Sequence, residues 1–298
     1  MNYVVTTHTL SKHYGRIKAV DELTLAIPEK SIFGLLGPNG SGKTTTLGML
    51  LDVINPSSGT YSWFGNQSNK QNRRKIGSIL ETPAFYPYLS AVDNLKIIAE
   101  IKAIGYEPIN EVLKITGLYE RRHSSYRTFS LGMKQRLAIS AAMLCDPSVM
   151  ILDEPTNGLD PTGIAEIREL IRTIARQGKT IILASHLLDE VQKVCTHYAV
   201  LKKGRLLYTG PVNNEAGNEL RIELEAGDPD KLYALLEEFP EKMSLERSGN
   251  RVIITISGHA EISSLSSYVY QHGLVPTHLV MLQKSLENQF LDILNENK

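Results

Sequence analysis

Three short runs of the chain are apolar on both faces. Ile32-Phe33-Gly34-Leu35-Leu36, Val149-Met150-Ile151-Leu152 and Thr180-Ile181-Ile182-Leu183-Ala184 lack the alternation of a half-buried strand. They predict strands of a parallel sheet with helices on each face. A helical pattern from Lys43 to Leu51 follows the first run. Between the other two, Ile164, Ile167, Ile171 and Ile174 recur at helical spacing, which predicts a helix from Thr162 to Gln177 stopped by Gly178. Residues 90–145 read as mostly helical, with Met133, Leu137, Ala141 and Leu144 as the apolar positions of one helix. Leu23, Leu25 and Ile27 alternate, and Thr60 to Trp63 do so less clearly, which points to an antiparallel side sheet.

The last part of the chain has its own rhythm. Leu220, Ile222 and Leu224 alternate with charges, and Pro229 to Phe239 looks helical. A hairpin turns at Ser248-Gly249-Asn250 into a strand bearing Val252, Ile254 and Ile256. A helix from Ala260 to His272, a strand from Thr277 to Leu282 and a helix from Ser285 to Leu294 complete the order. That order, βαββαβ plus a helix, predicts a small α+β domain of ferredoxin-like type.

Charge supports the same division. The 298 residues carry 32 Lys plus Arg and 32 Asp plus Glu, so nothing pulls the whole chain toward nucleic acid. Residues 217–298, however, hold seven basic against thirteen acidic side chains. The polar stretch from Pro211 to Asn218 marks the change. The expected domains are 1–216 and 217–298. Two cysteines far apart, Cys145 and Cys195, make no disulfide framework and fit inert core positions in a reducing compartment. No apolar stretch approaches the roughly 20 residues of a membrane span.

The chemistry concentrates in the first part. Gly37-Pro38-Asn39-Gly40-Ser41-Gly42-Lys43-Thr44-Thr45 follows a strand and opens a helix, the context of a phosphate-binding loop. Its glycines let backbone N–H groups point inward as an oxyanion nest, and the helix start adds its positive dipole end. Lys43 is expected at the β- and γ-phosphates and the Thr44 hydroxyl at Mg²⁺. Val149 to Leu152 deliver Asp153 to the carboxyl end of a strand, where ligands sit in open α/β sheets. Asp153 is expected to hold Mg²⁺, and Glu154 to orient or deprotonate an attacking water.

Phe129-Ser130-Leu131-Gly132-Met133-Lys134-Gln135-Arg136 stands about twenty residues before that strand. With the other two motifs, it resembles the signature region of the nucleotide-binding subunits of ATP-binding-cassette (ABC) transporters. The family reads Leu-Ser-Gly-Gly-Gln there. This chain keeps Ser130 and Gly132, which the resemblance places at the γ-phosphate, and departs at Phe129, Leu131 and Met133. The resemblance also implies that Tyr14 stacks on adenine, that Asp160 in Gly158-Leu159-Asp160 links the two sites of a dimer, and that His186 touches the γ-phosphate. Glu81 stands where the family usually has Gln. The resemblance makes it a hinge whose side chain reaches Mg²⁺ or the attacking water. The aromatic stretch Phe85 to Ser90 is expected to form part of a groove for a permease helix. The tail resembles extensions of cassettes serving bacitracin, lantibiotic-immunity and drug exporters.

The fold expected is therefore α/β: a P-loop NTPase core of ABC type with an antiparallel β subdomain and a helical subdomain, plus the ferredoxin-like domain. The resemblance implies an ATPase using ATP and Mg²⁺. It would act in a head-to-tail homodimer or cassette heterodimer, at the cytoplasmic face of the cell membrane, with a separate integral membrane permease and no nucleic acid. A P-loop kinase or GTPase is one competing class, set aside because neither needs a Ser130-type signature, and a soluble cassette ATPase working on ribosomes or DNA is the other. It fits less well, because this chain shows neither a tandem cassette nor a long coiled-coil insertion.

Overall fold

In the computed structural model, which describes residues 2–67, 70–80, 84–212, 219–257 and 262–282, the three apolar runs lie side by side. Thr180–Ser185 pairs in parallel with Ile32–Leu36 on one side and Val149–Asp153 on the other, and every residue of the three strands is buried. Ile76–Ile79 extends the sheet in parallel beyond Val149–Asp153. His197–Lys202 and the antiparallel Arg205–Pro211 complete six strands on the other edge. Burial on both faces explains why these strands carry no polar alternation.

The helices that cover them follow the predicted pattern with small shifts. Lys43–Leu50 leaves the first strand after the Gly-rich turn, and Pro161–Arg176 starts one residue earlier than the spacing suggested. Asp160 caps the latter, its Oδ1 accepting from the Gly163 N–H at 2.9 Å, and Pro161 fits the first turn because its missing N–H is not needed there. Ala91–Lys102, Pro108–Ile115 and Leu131–Met143 make the helical region. In the last of these the expected stripe holds at Leu137 and Leu144, both buried, but not at Met133 and Ala141. Leu137, Ala138, Ile139, Ala142 and Met143 are buried while Met133 and Ala141 are only half-buried. The helix is enclosed on most sides, so a one-face pattern underestimates it.

The antiparallel side sheet is present and larger than the alternation implied. Tyr3–Tyr14 lies between Ile17–Pro28 and Ser58–Trp63, with Asn66–Gln67 beyond. Register shifts interrupt the pairing of Tyr3–Tyr14 with Ile17–Pro28. At one of them Thr7, almost fully buried, donates its hydroxyl to Leu23 O and accepts from Leu25 N, both at 2.9 Å. Bulges of this kind break the period of two that a sequence pattern relies on. Beneath the sheet Trp63 is fully buried, and its indole N–H donates to Leu50 O at 2.8 Å.

The chain divides into two compact units after Val212. The second unit contains Glu219–Ala226, Pro229–Glu237, Lys242–Ser248, Arg251–Ser257, Ile262–Gln271 and Pro276–Leu282, strand and helix in the order βαββαβ. Its four strands pair antiparallel, with Arg251–Ser257 and Glu219–Ala226 central. Ile222, Leu224, Leu232, Leu236, Val252, Ile254 and Val269 form its own core. The closing helix expected over Ser285 to Leu294 lies outside the described residues, as does the start of the helix expected from Ala260. No helix among the described residues is long and apolar enough to cross a membrane.

Candidate functional site

Strand register assembles the site. Leu36 pairs with Ser185, and Asp153 with Ala184. The residues just past the three strands, Gly37, Glu154 and His186, therefore emerge side by side at the carboxyl edge of the sheet. Two backbone bonds hold them there: Gly37 N–H to Ser185 O at 3.3 Å and Glu154 N–H to Ala184 O at 3.0 Å. Glu154 adopts φ +47°, a left-handed conformation that is uncommon away from glycine and clusters at functional sites.

The loop from Gly37 to Gly42 is shaped by close approach. A Cβ on Gly37 would sit 2.3 Å from Leu201 O, and one on Gly42, at φ +104°, 2.4 Å from Ala19 O. Only glycine fits at either place. The helix Lys43–Leu50 has no side-chain cap and no acidic residue in its first turn, so its amino end keeps its positive character for an anion. Ser41 Oγ is buried in the loop without a hydrogen-bond partner, a polar atom that a phosphate oxygen would satisfy.

Lys43 is almost fully buried. Its ammonium donates to Gly37 O at 2.7 Å and lies 3.5 Å from Glu154 Oε1. The other carboxylate oxygen, Oε2, lies 2.8 Å from His186 Nδ1. Three residues expected separately thus form one cluster. Asp153 is 6 % exposed at the end of its strand, and the Thr44 side chain is exposed at the start of the helix. A hydroxyl and a carboxylate are the hard oxygen donors that suit Mg²⁺. Among the described residues no group of three or more His, Cys, Asp or Glu forms a metal cage. Mg²⁺ usually takes one or two such protein ligands and completes its shell with phosphate oxygens and water.

Ser130, Gly132 and Asp160 come together elsewhere. They line a cleft of about 500 Å³ with Arg136, Gly158 and Glu166, and no residue of the 37–45 loop lines it. Ser130 caps its own helix, Oγ accepting from Met133 N–H at 3.3 Å. Tyr14, about half exposed, ends its strand with the Lys12 ammonium 5.1 Å from its ring centroid. Glu81 lies outside the described residues.

Sequence reasoning missed Glu190, Thr156 and Ser185, a buried cluster beside the catalytic edge. Glu190 accepts from both hydroxyls. A signal existed: in the helix Leu188–Val194, Glu190 shares the buried face with Val191 and Val194, a place where an apolar residue is the default.

Comparison with known proteins shows the family. The chain matches the ABC transporter family over residues 20–157. It is 38% identical to the bacitracin transport ATP-binding protein of Bacillus licheniformis over 99% of this chain and 98% of that protein. It is 37% identical to the lantibiotic transport ATP-binding protein of Streptococcus pyogenes over 69% of this chain and 92% of that one. Among solved structures, cbiO1 of Clostridium perfringens, part of the ABC transporter complex cbiONQ, superposes with a TM-score of 0.64 at 28% identity. That match covers 71% of this chain and 90% of that one.

Proposed function

Because this chain belongs to the ATP-binding subunits of ABC transporters, an ATPase family, we propose that it powers export by closing head to tail with a second cassette on ATP. The cluster of Lys43, Glu154 and His186 carries the reading. Lys43 and the N–H groups of the 37–45 loop hold the β- and γ-phosphates, the Ser41 hydroxyl adds a donor inside the loop, and Tyr14 stacks on the base. Thr44 and Asp153, with Glu81 as a further ligand, would hold Mg²⁺, which would supply positive charge against the phosphates. Glu154 takes a proton from the water that attacks the γ-phosphorus, and His186 fixes the carboxylate from its far side. As the new P–O bond forms, the bond to the bridging oxygen breaks, and that oxygen leaves with ADP.

One cassette does not complete this site. Ser130 and Asp160 face a cleft that the chain's own phosphate loop does not reach, so a second copy or a related cassette supplies them. Mixing two inactive variants tests this. A Lys43→Ala chain and a Ser130→Glu chain together form one site with neither change, so ATPase activity returns on mixing. No return would rule out head-to-tail pairing of two copies of this chain.

We further propose a peptide antibiotic as the exported substrate, with a separate membrane permease and the cassette at its cytoplasmic face. Support comes from the match to the bacitracin relative, which covers 99% of this chain and so extends into the second unit. Deleting the gene should sensitise the host to bacitracin or a related peptide. Unchanged sensitivity across such peptides would sink the substrate class and leave the ATPase reading intact.

A further inference from the structure

At 1 % exposure Glu190 is buried more deeply than any other carboxylate among the described residues. Burying a carboxylate is costly unless donors meet it. Two do. Thr156 Oγ1 donates to Oε1, and Ser185 Oγ donates to Oε2 at 2.7 Å. Both hydroxyls are themselves buried, and Ser185 Oγ also accepts from Leu187 N–H at 3.0 Å.

The positions of these donors give the cluster its meaning. Thr156 stands two residues after Glu154, and Ser185 stands immediately before His186. One carboxylate therefore ties together the two backbone segments that carry the 2.8 Å contact between Glu154 and His186. The route forms a closed circuit: Glu154 to Thr156 along the chain, across Glu190 to Ser185, on to His186, and back to Glu154. Glu154 needs such support, because its φ of +47° is not one it would hold unaided. Glu190 has no hydrogen bond to Glu154 or His186 and does not belong to the phosphate loop.

We propose that Glu190 is a positioning residue for ATP hydrolysis, which clamps the chain on both sides of the Glu154–His186 pair through Thr156 and Ser185. The inference rests on the reading of Glu154 as the base. It differs from a purely structural account in what it protects: the geometry of the chemical step, not the binding of nucleotide. A misplacement of about 1 Å is enough to cost a factor of about a hundred in rate.

The test uses the full-length chain, steady-state ATPase activity and equilibrium binding of a fluorescent ATP analogue. Glu190→Ala strands two buried hydroxyls and is a poor folding risk, so Thr156→Val and Thr156→Ser carry the experiment. Valine keeps the shape and removes the donor. The expected result is binding within about two-fold of wild type with kcat lowered by about ten- to a hundred-fold. Thr156→Ser, which keeps the hydroxyl, should restore kcat. Wild-type kcat in Thr156→Val would overturn the proposal. So would equal losses in binding and kcat, or failure of Thr156→Ser to restore turnover. Glu154→Gln serves as the control for the underlying reading: if that variant still turns over, the assignment of the base fails first.

Discussion

The carboxylate of Glu154 is shared between Lys43 and His186, its Oε1 3.5 Å from the Lys43 ammonium and its Oε2 2.8 Å from His186 Nδ1. One group thus faces both the cation of the phosphate loop and the imidazole from the neighbouring strand. On the proposed reading a γ-phosphate drawing on Lys43 would compete directly with Glu154 for it, which would couple phosphate binding to the freedom of the base through a single ammonium.

Glu154→Gln separates binding from turnover. The amide keeps the shape and one acceptor oxygen but lacks the basic site, so turnover should fall by about 10²- to 10⁴-fold. ATP binding should persist, and the ATP-bound dimer should accumulate. Gel filtration with Mg-ATP beside an ATPase assay checks both; a monomer hydrolysing at the normal rate would contradict the assignment.

Lys43→Ala removes the main cation of the loop. Charged hydrogen bonds of about 1.5–3 kcal/mol correspond to nucleotide binding weaker by about ten- to a hundred-fold or more. Equilibrium titration reads this directly, and wild-type affinity would sink the placement of the β- and γ-phosphates.

The two cysteines should react very differently. Burial, and then the charge of Glu190, push the Cys195 thiol far above its ordinary value, whereas Cys145 is only half-buried. Reactivity follows the thiolate, so iodoacetamide on the native protein should mark Cys145 alone, with Cys195 labelled only after unfolding. Peptide mass mapping distinguishes the sites.

Acid should weaken the first unit through Asp21. The Arg205 guanidinium, and after it Lys18, hold this carboxyl below its ordinary value of 3.8. A carboxyl with a lowered folded pKa stabilises the protein above the unfolded pKa and loses that contribution as pH falls through the folded one. Asp21→Asn should therefore melt at a lower temperature than wild type at pH 7. The gap should close as pH drops below about 4. A gap unchanged down to pH 2 would show that the Arg205 contact does not matter for stability.

Residues 1–216 should bind ATP without the tail. No residue proposed to face phosphate comes later in the sequence than His186, and the second unit holds a separate core of its own. Expression of the truncated chain followed by nucleotide titration checks this; a truncation that cannot fold would place the boundary elsewhere.

How much of this could be read from residues alone varied with the physics. Val149 to Leu152 and Thr180 to Ala184 announced themselves because burial on both faces leaves only apolar side chains. The loop around Lys43 was legible because its glycines answer to backbone geometry, as the 2.3 Å approach at Gly37 shows. Tyr3–Tyr14 was hidden, since its bulges break the alternation and its buried Thr7 looks like a surface residue until Leu23 and Leu25 supply partners. Glu190 was hidden for the same reason. A buried carboxylate is defined by the hydroxyls that meet it, and those come from residues 34 and 5 positions away.

Trp63 gives this chain a built-in optical reporter. It is the single tryptophan of the sequence, fully buried in the first unit and tied to Leu50 O. Its fluorescence therefore follows the melting of the first unit, whereas the strands and helices of residues 219–282 contribute to far-ultraviolet circular dichroism. Coincidence of the two signals in a denaturant titration would mean that the whole chain unfolds as one cooperative block, and divergence that each core lets go on its own.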